Sequence, residues 1–288
     1  MIKKKIQGFL ALTRIWFITL HFINTITAAI MLSFTSFLSN LGIILLASLL
    51  AALLDGIGVV FNAITDLEID RINIPNRPLP SGIISISTAK ITIVFYSVIA
   101  VILCFFFNLA SFIVLAIGFF VTISYSLEPI RWKKRHIFSP LMIGVGYGLE
   151  VILVAVIFDM FNVQNLLLSL IVIVFVCGIG SLKEFPDIEG DRKGGVNSVP
   201  IVLGIKNAKI LSGLVIFLGV IGFSIFTAYE NLFFVYLPFA IFAIGSSFTL
   251  LIKFKADENI RKYVKLTKIA LLNLLLLPIF YIIFGVLR

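Results

Sequence analysis

The sequence predicts an all-α, multi-pass membrane protein of about nine transmembrane helices, and three observations carry that prediction. Mean hydropathy is +1.16, and 60% of the 288 residues are hydrophobic against 13% charged; a soluble domain carries roughly twice that charge. The apolar residues fall in continuous runs close to the ~20 that a spanning helix needs. They do not alternate, which excludes a β-barrel. Finally, the basic residues fall on one side of the chain once spans are counted.

The expected spans are roughly 11–33, 41–65, 88–107, 109–126, 138–158, 165–182, 208–228, 231–252 and 267–287. The first follows Lys3–Lys5 and so mimics a signal peptide; Arg14 interrupts its apolar run and no small-residue cleavage site follows, so it reads as an uncleaved helix. The third and fourth are divided only by the Asn108 region. Short polar stretches at Ser36–Asn40, Asp159–Gln164 and Glu230–Asn231 mark the other outer turns. With the N-terminus in the cytoplasm, 22 of the 23 basic residues lie on the inner side, and only Arg288 falls outside. That asymmetry places the chain in the cell membrane with a cytoplasmic N-terminus, and makes the net charge of +9 the property of one face. No basic soluble domain exists to bind nucleic acid. Cys104 and Cys177 lie inside spans and are too few for a disulfide framework or a zinc site. Residues 1–288 read as a single membrane domain, whose oligomeric state the pattern does not specify.

Inside loops hold nearly all the polar chemistry. The pattern Asp-x-Glu-x-Asp-Arg-x-x-x-x-Asn occurs at Asp66, Glu68, Asp70, Arg71, Asn76 and again, 121 positions on, at Asp187, Glu189, Asp191, Arg192, Asn197. Pro78–Gly82 with Ala89-Lys90, and Pro200, Gly204 with Ala208-Lys209, extend the repeat, each copy reading as a helix end, a turn and a new helix. Two pseudo-repeats of this kind place a site at their interface. Acids at i and i+4 share a helix face, and Asn62, Asp66 and Asp70 form one stripe. Two facing clusters of this kind, with Glu184 and Glu189 near the second, suit Mg²⁺, which takes few protein oxygens and leaves the rest to phosphate and water. Arg71, Arg77, Lys183 and Arg192 lie beside the acids, and Tyr125, Arg131, Lys133 and Lys134 sit on another inside loop. Cations next to a carboxylate-held metal suit a diphosphate, although each basic residue taken singly also serves topology. Arg14, Asp55 and Glu150 lie in or near spans, where charge either lines a polar cavity or pairs structurally. The 29 Phe residues pack and face lipid, and a subset could line an apolar tunnel and stabilise a carbocation.

These motifs resemble those of the UbiA superfamily of intramembrane prenyltransferases, over essentially the whole chain. Asn62-x-x-x-Asp66-x-x-x-Asp70 looks like the family's first aspartate-rich motif and Asp187-Ile-Glu-Gly-Asp191 like its second. The segment Asp70–Gly82 is similar to the chlorophyll synthase and archaeal lipid branches; Lys183–Asp191 looks more like the homogentisate branch, with Glu184 where Asp is more usual. Tyr125-Ser126, Arg131-Trp132-Lys133 and the first-helix Arg14 also fit, Ile15 standing where proline often follows. The resemblance implies nine helices around a central cavity and Mg²⁺-dependent binding of a prenyl diphosphate, with a lateral opening to membrane lipid. Asn62, Asp66, Asp70, Asp187 and Asp191 are then the expected metal ligands. Arg71, Lys133, Lys183, Arg192, Arg14 and Tyr125 are the expected diphosphate contacts. The second motif favours an aromatic acid or quinone precursor as acceptor; the first favours geranylgeranylglyceryl phosphate. A terpene cyclase needing no acceptor and, from another class, a cation-coupled transporter are the alternatives.

Overall fold

The structure, a computed structural model, describes residues 2–32 and 39–229 and the single positions 237, 241 and 245. Apart from those positions, the expected spans 231–252 and 267–287 lie outside the described residues. Seven described helices are long and apolar enough to cross a membrane.

The first expected span is one helix that starts four residues later than expected and follows a separate helix. α1 (Ile2–Leu12) ends where the Thr13 hydroxyl donates to the Phe9 carbonyl, and α2 (Ile15–Leu32) starts beyond Arg14. Arg14 has φ 47°, a left-handed conformation that no helix continues through. α3 (Leu41–Thr65) ends at Asp66, from which the short α4 (Leu67–Asn73) starts, carrying the rest of the first acidic motif. α5 (Ile86–Cys104) opens on Ser85, whose side chain accepts from the Thr88 N–H. α6 (Leu109–Ser126) opens on Asn108, which accepts from the Ser111 N–H and donates to the Val156 carbonyl at 2.7 Å. Phe105–Asn108 divide the third span from the fourth, and Asn108 ties the turn to the fifth.

α7 (Phe138–Ile157) and α8 (Val163–Leu182) pack closely because Gly144 and Gly148 offer no side chain there. A Cβ would lie 2.4 Å from the Ile173 carbonyl at Gly144 and 2.4 Å from the Ile173 side chain at Gly148. Short α9 (Ile188–Lys193) carries the second acidic motif, and α10 (Val199–Tyr229) follows with a break at Gly204, φ 73°. The main core joins α2, α7, α8 and α10; a second joins α3, α5, α6 and α7. α5 and α6 are the least buried spans, and Ile91, Val94, Phe95 and Val98 form an exposed apolar band of the kind lipid covers.

All three inner loops of this region gather at one end of the bundle. β1 (Arg135–His136) pairs in parallel with β2 (Asn197–Ser198), and α4 packs on α9. This is the arrangement that the charge alternation requires for spans two to seven.

Candidate functional site at the capped end of the cavity

α4 and α9, the short helices of the two copies, pack on each other. Adding 121 to a position maps Ile69 onto Gly190 and Asn73 onto Gly194. The contacts are reciprocal: a Cβ on Gly190 would lie 2.3 Å from Asn73 Oδ1, and one on Gly194 would lie 2.6 Å from the Ile69 side chain. The large residues of the first copy thus fill spaces left by glycines in the second. Asn73 completes the joint, accepting from the Gly190 N–H at 2.7 Å and donating to the Asp187 carbonyl at 3.2 Å.

Beneath this joint is a cavity of about 460 Å³. Asn62, Asp70, Asp187 and Asp191 line its capped end, with Arg14, Arg77, Lys133, Lys183 and Tyr125 around them. It continues along α3 past Asp55 to Ala51, eleven residues from Asn62, or about 16 Å of helix. Its walls are mainly aliphatic, from Leu54, Leu115, Leu149, Leu153 and Val176. Phe17, Tyr125 and Tyr147 supply the Phe and Tyr aromatics, so among the described residues only one of the chain's many phenylalanines lines it.

The acids are not in equivalent states. Asp66 is 1% exposed and paired to Arg131 at 3.1 Å and to Lys133. It sits behind Lys133 and is not among the residues that line the cavity. Asp70 pairs with Arg77 at 2.5 Å through one oxygen, while its other oxygen, Oδ2, is buried with no partner. Asp191 is 3% exposed and its Oδ1 is likewise buried and unpartnered. In this segment beyond the end of α8, burial raises the Asp187 carboxyl and pushes Asp191 up to about 7. Two desolvated, unpartnered carboxylate oxygens, on residues that line one cavity, fit a divalent cation, which would replace the missing hydration. Among the described residues no three His, Cys, Asp or Glu side chains lie close enough to share one ion. Asn62 accepts from the Ser126 hydroxyl at 3.0 Å and so is aimed by α6.

The basic residues divide. Lys183 lines the cavity 5.7 Å from the centre of the Tyr125 ring. Arg14 lines it within the field of Asp70, Asp187 and Arg77. Arg71 and Arg192 do not: both are exposed, and Arg71 turns outward to pair with Glu68 at 2.5 Å. They follow the acids in sequence and therefore project to the next helix face. Arg77, from the turn after α4, occupies the place expected of Arg71. Glu189 is exposed and pairs with Lys193, and Glu184 accepts from the Val199 N–H at 2.9 Å at the start of α10.

Fold and site together define a membrane-embedded helical bundle whose apolar cavity carries acids and cations at one end. The UbiA prenyltransferase family model matches residues 22–275. The chain belongs to that family, and is a transferase of prenyl groups. It is 32% identical over 218 residues to a digeranylgeranylglyceryl phosphate synthase of Methanococcus aeolicus, covering 74% of each chain. It is 30% identical over 234 residues to the Methanosphaera stadtmanae enzyme of the same name, covering 80% of this chain and 84% of that one. A solved structure concerning a digeranylgeranylglyceryl phosphate synthase superposes with a TM-score of 0.67 at 26% identity, over 96% and 98% of the two chains. A UbiA homologue from Archaeoglobus fulgidus, bound to DMAPP and Mg²⁺, has the same fold, with a TM-score of 0.68 at 14% identity over 94% and 98%.

Proposed function

We propose that the chain transfers a geranylgeranyl group from its diphosphate to the free hydroxyl of geranylgeranylglyceryl phosphate, using Mg²⁺, as a single membrane domain. The carrying observation is the capped end, where two acidic copies and five polar or cationic side chains close an apolar cavity. The relatives' common name supports the choice of acceptor. The one-sided charge, now matched by the gathering of three loops, supports a cytoplasmic cap in the cell membrane.

Asp70, Asp187 and Asp191, aided by Asn62, are the residues that would hold Mg²⁺. Asp66, held by Arg131 and Lys133, would hold Lys133 at the cavity wall for the diphosphate and would reach the metal only by giving up that pair. The metal, when bound, supplies charge neutralisation for the leaving diphosphate. Arg77, Arg14 and Lys183 add fixed cations aimed at the same oxygens, and Tyr125 adds a hydroxyl and an aromatic face. The aliphatic walls exclude water from the allylic carbon as its C–O bond ionises.

The test is product analysis. Purified protein in detergent is given geranylgeranyl diphosphate and Mg²⁺ with geranylgeranylglyceryl phosphate, with 4-hydroxybenzoate, or with neither. A diether phosphate in the first arm alone is the expected product. A prenylated aromatic acid instead makes the aromatic acceptor correct, and a cyclic hydrocarbon with no acceptor makes the chain a cyclase.

A further inference from the structure

Deeper in the same cavity lies a polar network outside the diphosphate site. His21 of α2 stands between two carboxylates, its Nε2 3.2 Å from Asp55 Oδ1 on α3 and its Nδ1 against Glu150 on α7. Asn24 donates to the other Glu150 oxygen at 2.5 Å, and the Tyr147 ring lies 4.0 Å from the imidazole. His21, Asp55 and Glu150 all line the cavity. A network that only bolted three helices together would leave no buried oxygen idle. Here Asp55 Oδ2 is buried with no partner, while its twin Oδ1 is held by His21.

Position adds to this. Asp55, Val59 and Asn62 share one face of α3 and line one wall. Asp55 is seven residues below Asn62, which is about 10 Å of helix rise. An attacking oxygen about 3–3.5 Å from the allylic carbon, itself hydrogen-bonded at about 2.6–3.2 Å to a base, fits within that span.

We propose that Asp55 is the base that accepts the acceptor's hydroxyl proton, with His21, Glu150 and Asn24 as positioning residues that aim it. This rests on the hydroxyl acceptor proposed above. The acceptor oxygen's lone pair forms the new bond to C1. The C1–O bond to diphosphate breaks, its electron pair leaving with the diphosphate, and the O–H proton passes to the Asp55 carboxylate. His21, bridging Asp55 and Glu150, holds that carboxylate through Oδ1.

The experiment compares wild type with Asp55→Asn, Asp55→Glu and His21→Gln in detergent, with Mg²⁺, geranylgeranyl diphosphate and geranylgeranylglyceryl phosphate. Three quantities are read: ether formed, KM for the donor, and scrambling of ¹⁸O from the bridging to the non-bridging positions of the donor, which reports ionisation without transfer. Asp55→Asn is expected to lower ether formation by about 10²–10⁴-fold while donor KM and scrambling persist. Asp55→Glu is expected to restore part of the rate, and His21→Gln to lower kcat with little change in donor KM. Full transfer by Asp55→Asn overturns the proposal. So does joint loss of transfer, donor binding and scrambling, which would assign Asp55 to the fold or the donor site. A wild type that makes no ether from this acceptor overturns the function reading itself, a result that the variants alone cannot produce.

Discussion

The two acidic motifs share their spacing, yet the structure holds them in opposite electrostatic states. In the first, Asp66 is neutralised by Arg131 and Lys133, and Asp70 by Arg77. In the second, no ion pair reaches Asp187 or Asp191 among the described residues, and burial pushes Asp191 up to about 7. The motif supplies the carboxylates, but their partners come from elsewhere: the turn after α4 and the loop before α7 supply cations to one copy only. The difference teaches that a duplicated metal motif need not give duplicated sites. One half enters the reaction already paired, and the other gains most from a cation.

If that contrast is real, removing acids or metal gives the largest effect. Asp70→Ala or Asp191→Ala is expected to lower turnover on the order of 10³-fold, as is a chelator, with Mg²⁺ restoring only the chelated wild type. Steady-state assay in detergent checks this, and full activity of either variant sinks the site. Next comes the joint between the copies. Asn73→Ala removes both bonds to the α9 segment, and is expected to cost about 1–3 kcal/mol and roughly 10-fold in kcat/KM, read by thermal unfolding and kinetics.

A smaller effect separates the copies by pH. Asp191 binds a proton more tightly in the folded chain than in the unfolded one, so its share of stability is present below about pH 4 and is lost as pH rises through 7. Metal-free protein is therefore expected to melt lower at pH 8 than at pH 5, with Asp191→Asn or added Mg²⁺ flattening the slope; an unchanged slope in both contradicts the assignment. The smallest contrast is between neighbouring arginines. Arg77→Ala is expected to raise donor KM by about 10-fold or more, and Arg71→Ala by less than about 2-fold, because its exposed pair with Glu68 contributes little.

Much of this was legible in sequence, because it depends on local pattern. Most described spans end within a few residues of their expected limits, the seventh starting nine residues early at Val199, and the acidic copies carry residues of the cavity's polar end. Asp55 and Glu150 stood out as intramembrane charges, although pairing and cavity lining were equally open; the structure shows both at once. What was not legible depends on long-range contacts. His21 and Asn24 look like ordinary residues of an apolar helix until α3 and α7 are placed beside them. Asn73 carries no motif signal of its own; only the 121-residue offset, applied to Gly190 and Gly194, could have revealed it. Arg77 is seven residues from Asp70 in sequence, and only the turn after α4 brings it back to that acid. The break at Arg14 follows from a backbone angle that composition does not encode.

The central claim is that both unlike copies act on one metal-bound diphosphate. The direct measurement is binding of geranylgeranyl thiolodiphosphate, an unreactive donor analogue, with and without Mg²⁺, to wild type, Asp70→Asn and Asp191→Asn. The account expects tight binding by wild type only with Mg²⁺, and loss of that dependence in both variants. Binding that ignores Mg²⁺, or that Asp191→Asn leaves unchanged, would contradict a site shared between the two copies.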